Sequence, residues 1–228
     1  MAASVRNTQY GSETASNTIT VTKPTGTLEN EVMVAFIQHR DSTGSLTPPS
    51  GWTLLQSQAT SGGSSGNTSK AYTYYKLAGA SEPASYDWIS VNDGRVNASI
   101  TTVTGNATTS TIDISGVSLT ADGSTHDAPS VTTTQANDLV LVFAGVPLSG
   151  TSWTNPGSTT EEADIQGASD LSMDVASFTA ASAGATGAKT FTMVGYGSND
   201  KAATFSVAIK SAATPKGFIM LCGDGGFL

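Results

Sequence analysis

The chain has 228 residues, enough for one large all-β domain or two small ones, and for a core that needs no disulfides. Charged residues make up only 12%, well under the roughly 25% usual in globular proteins; Thr, Ser, Ala and 24 Gly fill the difference, and this composition argues against charge-driven disorder. A net charge of −8 and a pI near 4.5 argue against the basic face that nucleic-acid binding requires, and against attraction to an anionic membrane surface. The lone Cys222 excludes an intrachain disulfide and a thiolate zinc site. Met1-Ala2-Ala3-Ser4-Val5-Arg6 lacks an apolar core, so no signal peptide is expected, and no run reaches the ~18 apolar residues of a membrane helix. The expectation is a soluble chain made in a bacterial cytoplasm.

In chain order, residues 1 to 17 are polar and aperiodic and read as an N-terminal arm. Thr18 to Thr22 alternates as a half-buried strand, and Lys23-Pro24-Thr25-Gly26-Thr27 is a turn in which Pro fixes φ. Glu31-Val32-Met33-Val34-Ala35-Phe36-Ile37 is apolar after its acidic start and reads as a strand buried on both faces. His39 to Ser50 reads as a loop that delivers Trp52, a core anchor, to the next strand. Ser61 to Asn67 has the composition of a linker but strand-like flanks, which predicts a mobile hairpin tip. Ala71 to Lys76 is a strand with Tyr72 and Tyr74 on one face, and Tyr86 and Trp88 share a face of the next. Asn92-Asp93-Gly94 is a tight turn, and Val96, Ala98, Ile100 and Thr102 alternate to close a first half, 18 to 104.

Residues 105 to 127 bridge to a second half, with Ile112, Ile114, Val117 and Leu119 suited to an edge strand. Asn137-Asp138-Leu139-Val140-Leu141-Val142-Phe143-Ala144 then echoes the run from Asn30 at an offset of 107 residues. Trp153 to Gly157 stands where Pro49 to Trp52 stood. Ser172 to Phe178 answers the tyrosine strand, Thr190 to Met193 answers Tyr86 to Ile89, and Ala203, Phe205, Val207 and Ile209 close the half, 128 to 211. The predicted fold is all-β, an antiparallel β-sandwich (jelly-roll-like) built from two duplicated halves, with an extended C-terminal tail from 212 to 228. Phe218, Ile219, Met220, Leu221, Phe227 and Leu228 make that tail apolar. An exposed tail of this kind is an aggregation hazard, so it is expected to be covered, either tucked back as an edge strand or, by preference, docked on a neighbouring subunit.

Chemistry is sparse. His39 and His126 fall in predicted loops and read as surface residues; Asp127 points away from His126 on an extended chain, and no Gly-x-Ser-x-Gly elbow accompanies them. Glu82, Asp87, Glu161, Glu162 and Asp164 are candidates for a glycosidase pair, which needs two carboxyls across a cleft. Glu161-Glu162-x-Asp164 reads more readily as a solvated face. Asn92-Asp93-Gly94, Asp122-Gly123 and Asp224-Gly225 offer oxygen ligands for calcium without the alternating spacing of an EF-hand. Trp52 and Trp88 are assigned to the core; Tyr72 and Tyr74 remain open as glycan-facing aromatics. No catalytic residue, metal or cofactor is expected.

Val21-Thr22-Lys23-Pro24-Thr25-Gly26-Thr27, Val32-Met33-Val34-Ala35 and Pro48-Pro49-Ser50-Gly51-Trp52-Thr53-Leu54-Leu55 carry a resemblance, together with Tyr74-Tyr75-Lys76-Leu77-Ala78 and Ala80-Ser81-Glu82-Pro83-Ala84-Ser85-Tyr86-Asp87-Trp88. Residues 18 to 211 resemble a β-sandwich module of tailed-phage virion proteins and of bacterial or prophage surface proteins. The resemblance implies a binding or structural part and carries no catalytic residues. It points first to a virion structural protein, a capsid decoration (cement) protein on the head surface. The alternative is a tail or fibre adhesin, or carbohydrate-binding module, that recognises host glycan; an enzyme ranks third. The expected partners are the major capsid protein or neighbouring subunits, in a homo-oligomer such as a trimer, with no nucleic acid and no membrane.

Overall fold

The computed structural model describes residues 2–12, 16–60, 67–91, 95–167, 170–194 and 200–213. Among them there are eighteen strands and no helix. The first eight are β1 (Ser4–Gly11), β2 (Thr18–Thr22), β3 (Val32–Arg40), β4 (Leu46–Thr47), β5 (Thr53–Thr60), β6 (Ser69–Leu77), β7 (Ser85–Ser90) and β8 (Val96–Thr104). They are followed by β9 (Ile112–Leu119), β10 (Thr125–Ala128), β11 (Thr132–Thr133), β12 (Asp138–Val146), β13 (Ser152–Thr154) and β14 (Thr160–Gln166). The last four are β15 (Ser172–Ala180), β16 (Gly184–Ala185), β17 (Lys189–Val194) and β18 (Ala203–Ile209). Every pairing is antiparallel, as expected for a sandwich. The strands form four layers. Two five-stranded sheets, β1-β8-β3-β6-β5 and β14-β15-β12-β18-β9, face one another, and the outer faces carry β2-β7-β4 on one side and β10-β17-β13 with β11-β16 on the other.

This layering explains the two apolar runs. On β3, Val32, Val34 and Phe36 enter the central core between the large sheets, while Met33, Ala35 and Ile37 enter the core under the first outer layer. On β12, Leu139, Leu141 and Phe143 point inward, and Val140, Val142, Ala144 and Val146 point outward to the second outer layer. A strand with cores on both faces has no solvated side, so its sequence loses the period-2 alternation. Phe36 stacks obliquely on Phe143 at 5.0 Å between centroids and meets Phe205 edge-on at 5.5 Å, which joins the sheets at their centre. Gln38 packs onto Gly145, where a Cβ would lie 3.0 Å from its Oε1, so glycine lets the sheets close at that end.

Strand order repeats along the chain. β9, β18, β12, β15 and β14 occupy the places of β1, β8, β3, β6 and β5, and β10-β17-β13 repeats β2-β7-β4. Local geometry repeats as well. Asn30 and Asn137 both take left-handed backbone, φ 67° and 64°, and donate their N–H groups to Ala78 and Ala180 at 2.8 and 2.7 Å. Asn tolerates this conformation better than most residues, and it turns the chain into each central strand. Trp153 departs from the expected match: it lies in β13, the counterpart of β4, and Trp52 precedes β5. Both indoles fill an outer core.

The four edge pairings β1–β8, β5–β6, β14–β15 and β9–β18 each carry a register shift, and the four inner pairings carry none. Bulges twist an edge and disturb its ladder, which discourages edge-to-edge pairing with another chain. The bulge residue of β1, Arg6, donates Nε to Glu31 Oε2 at 2.8 Å and Nη2 to Thr104 Oγ1 at 3.3 Å. The bulge residue of β9 is Asp113, in register with Arg6, and it stands beside Asp138 where Glu31 would be. There the cation moves to Lys210, the counterpart of Thr104, whose Nζ lies 3.2 Å from Asp113 Oδ1. Burial and the neighbouring Asp113 raise Asp138 to about 6. Asp113 is held low, against burial, by hydrogen bonds from Thr134, Asp138 and Lys210.

Two expectations are corrected. The N-terminal arm contains β1, which shows no apolar period because it is a half-exposed edge held by backbone pairing to β8. His39 is buried on β3 and is not in a loop; that strand runs on to Arg40 because its last residues still have β6 and β8 on both sides. The 61–66 hairpin tip, Asn92-Asp93-Gly94 and the tail from 214 lie outside the described residues.

Phe36→Ala is expected to cost about 3–5 kcal/mol in urea unfolding, from lost burial and the cavity left between the sheets. Adding Phe143→Ala should cost less than the sum of the two single changes, because the rings touch.

Candidate functional site

The structure distributes the sequence-predicted residues widely. Tyr72 and Tyr74 are 5% and 4% exposed, stacked at 6.1 Å within the first outer core beside Trp88. Burial pushes both phenols up to about 12. They offer no face to a glycan, which corrects that expectation: the outer layer β2-β7-β4 covers the side of β6 on which they stand. His39 is buried between Tyr72 and Ser90, with its Nε2 3.2 Å from the Tyr72 hydroxyl and its Nδ1 3.4 Å from Ser90 Oγ. His126 is buried on β10; its Nδ1 lies 2.6 Å from Thr120 Oγ1 and its ring meets Trp153 edge-on. Burial lowers its pKa. Both histidines are therefore packing residues, which corrects the surface reading. Phe218, Ile219, Met220, Leu221, Phe227 and Leu228 lie outside the described residues.

The candidate carboxylates do not converge. Glu82 receives the Tyr86 hydroxyl at 2.6 Å, the Gly79 N–H at 2.7 Å and the Lys76 ammonium at 2.7 Å. Burial raises its pKa, but these three bonds outweigh it and hold the group low. Asp87 accepts from Thr20 on an exposed face. On β14 the solvated reading holds for Glu161 alone; Glu162 and Asp164 are half-buried, and burial raises both. Asp164 pairs across the strands with Asp174, which is fully buried on the face of β15 that also carries Ala176. Neither carboxyl oxygen of Asp174 has a hydrogen-bond partner among the described residues. Burial first, then the charges of Asp164 and Glu161, push Asp174 up to about 8. Among the described residues no group of three or more His, Cys, Asp or Glu is placed to hold a metal.

A groove of about 740 Å³ runs along the seam where β1 faces β14. Its origin lies in how the halves differ. Because β1 lies over β14 and β5 over β9, the two seams are counterparts. At the β5/β9 seam, Leu55, Tyr75, Leu77 and Ile112 pack against the central core, and Gln56 Nε2 reaches Ser115 Oγ at 3.2 Å. In register, Glu162 takes the bulge position of Leu55, and Ser177 and Thr179 take those of Tyr75 and Leu77. Small and polar side chains thus replace the plug, and the seam stays open. Ser177 donates to Glu162 Oε1 at 2.7 Å, and the Lys189 ammonium sits 4.4 Å from the centroid of Phe178 on the groove wall. Tyr10, the register counterpart of the core-packed Val117, is 54% exposed on the same face of β1 as Val5.

Sequence reading missed this site. Glu162 looked like one acid of a charged run. The usable signal was the aligned exchange of Leu55 and Tyr75 for Glu162 and Ser177. Comparison with family models, with curated proteins and with solved structures gives no match for this chain.

Asp174→Asn tests the buried acid. Its folded pKa is raised above the unfolded value near 4, so the folded state holds a proton that the unfolded chain releases; stability falls as pH rises from about 4 to about 8 and levels off above. The variant is expected to match the parent near pH 4 and to melt at least about 2–4 °C higher at pH 8, corresponding to about 1 kcal/mol or more. Thermal melts followed by circular dichroism across that range check it.

Proposed function

We propose that the chain is a non-catalytic structural part of a tailed-phage virion, foremost a decoration protein on the head surface. The observation that carries this reading is where the ionisable groups are used. Among the described residues Arg6, Arg40, Lys76, Arg95 and Lys210 are tied in ion pairs within the chain. Arg40 and Arg95 of the first half both grip Asp170 of the second, and Asn97 Nδ2 donates to the Leu171 carbonyl at 3.2 Å, so polar groups fasten the halves together. What is left for the exterior is acidic, poor in Lys and Arg, and rich in hydroxyls, on a four-layer frame. Such a surface suits lasting contact with neighbours better than transient chemistry, and stable contacts need more than about 1,000 Å².

We read β1-β8-β3-β6 with β2-β7-β4, and β9-β18-β12-β15 with β10-β17-β13, as jelly-roll orders, and the two halves as products of a duplication. The resemblance of residues 18–211 to a phage and prophage surface module supports the virion setting. In this reading the chain assembles as a symmetric homo-oligomer, a trimer at three-fold capsid positions, and contacts the major capsid protein through the tail from 214.

Purified chain mixed with heads of a particle that lacks it is expected to co-sediment with them, and to appear as added density on the head surface by electron microscopy. Binding to host cells with none to heads would favour an adhesin and overturn the decoration reading. Removing 214–228 is expected to abolish head binding; undiminished binding would show that the tail is not the docking element.

A further inference from the structure

We infer that the open seam between β1 and β14 is a binding site for a neutral oligosaccharide. The inference is independent of where in a particle the chain sits. The groove falls within the usual size range of small-ligand sites, roughly 300–1,000 Å³. Its position is set by the pseudo-symmetry, since the same place in the other seam is filled by Leu55 and Tyr75. Replacing an apolar plug with Glu162 and Ser177 costs core burial, and Glu162 is half-buried at a raised pKa. A polar group in that position is better satisfied by a ligand that hydrogen-bonds it than by an empty groove.

The chemistry of the lining selects the ligand class. Hydroxyls of Thr160, Ser177 and Ser182 both donate and accept; the Glu162 carboxyl accepts and the Lys189 ammonium donates. Sugar hydroxyls match all three types at once, each able to give a proton to the carboxylate and take one from the ammonium. The lining holds one carboxylate, Glu162, and one ammonium, Lys189, and so carries no net charge, which favours a neutral sugar over an anionic one.

The test uses the full chain on an array of neutral hexose and N-acetylhexosamine oligosaccharides alongside sialylated and sulfated ones, with hits titrated by calorimetry. The parent is expected to bind at least one neutral oligosaccharide. Glu162→Leu combined with Ser177→Tyr rebuilds the plug of the other seam, and is expected to weaken binding by at least about 10-fold without lowering the melting temperature. Lys189→Ala, a change at a half-buried position outside the central core, guards against misfolding of the double variant and should weaken binding several-fold. No binding to any neutral sugar, preference for the anionic ones, or parental affinity in folded plug and Lys189 variants would each overturn the proposal.

Discussion

Everything in this molecule hangs on two strands that have no solvent side. β3 and β12 lie at the centre of their sheets with a core on either face, and Phe36, Phe143 and Phe205 join them across the middle. A strand in that position tolerates polar side chains only where they can be satisfied inside the fold. The polar residues on β3 cluster at its end: Gln38 bonds Ser69, His39 lies between Tyr72 and Ser90, and Arg40 reaches Asn67 and Asp170. The polar end of the strand therefore becomes a joint between the halves. Its apolar centre sets the spacing of all four layers.

Burial on this scale accounts for the low charge of the chain as much as any surface role does. Four layers need many strand residues with nothing ionic to offer, and the sheets' outermost pairings meet the need for edge protection with bulges. Where ionic residues occur at a bulge they are put to local use. Arg6 with Glu31, and Asp113 with Asp138 and Lys210, hold corresponding corners with opposite arrangements of charge. The first corner is an ordinary ion pair. The second keeps two acids side by side and places the cation one strand over, so it loosens differently with pH.

Strong periodic and compositional signals carried the fold. The runs at 31–37 and 138–144 were legible because burial on both faces removes polar residues from the middle of a strand, and Asn30 and Asn137 because few residues enter a strand through left-handed backbone. β1 was illegible for the converse reason: it is held by backbone bonds and half exposed on both faces, so its side chains follow no pattern. The histidines and tyrosines were harder still. Whether a polar aromatic is a site or a packing unit depends on which layer covers it, and the layer over Tyr72 comes from β2, β4 and β7, up to 54 residues away in sequence. The groove depends on a comparison between equivalent seams, which exists only once strand order is known.

That comparison shows how a twice-wound scaffold can hold stability and specificity apart. Two halves with the same strand order face one another, so each structural position occurs twice and only one copy needs to serve the core. At the β5/β9 seam, Leu55 and Tyr75 close the central core. Once that seam is closed, its counterpart can carry Glu162 and Ser177, because the sheets remain joined along β3 and β12 and at the Arg40, Arg95 and Asp170 joint. The same logic applies to Tyr72, whose register counterpart is Asp174: the first half uses the position for an aromatic stack, and the second leaves an unpaired acid there. A buried acid without a partner among the described residues lowers stability, and the second half bears it on the face of β15 whose outer core is otherwise apolar, with Val140, Val142, Ala176, Phe191 and Met193 buried. Departures from symmetry in such a fold are therefore the places to look for function: everywhere else, the requirements of packing already explain the residue.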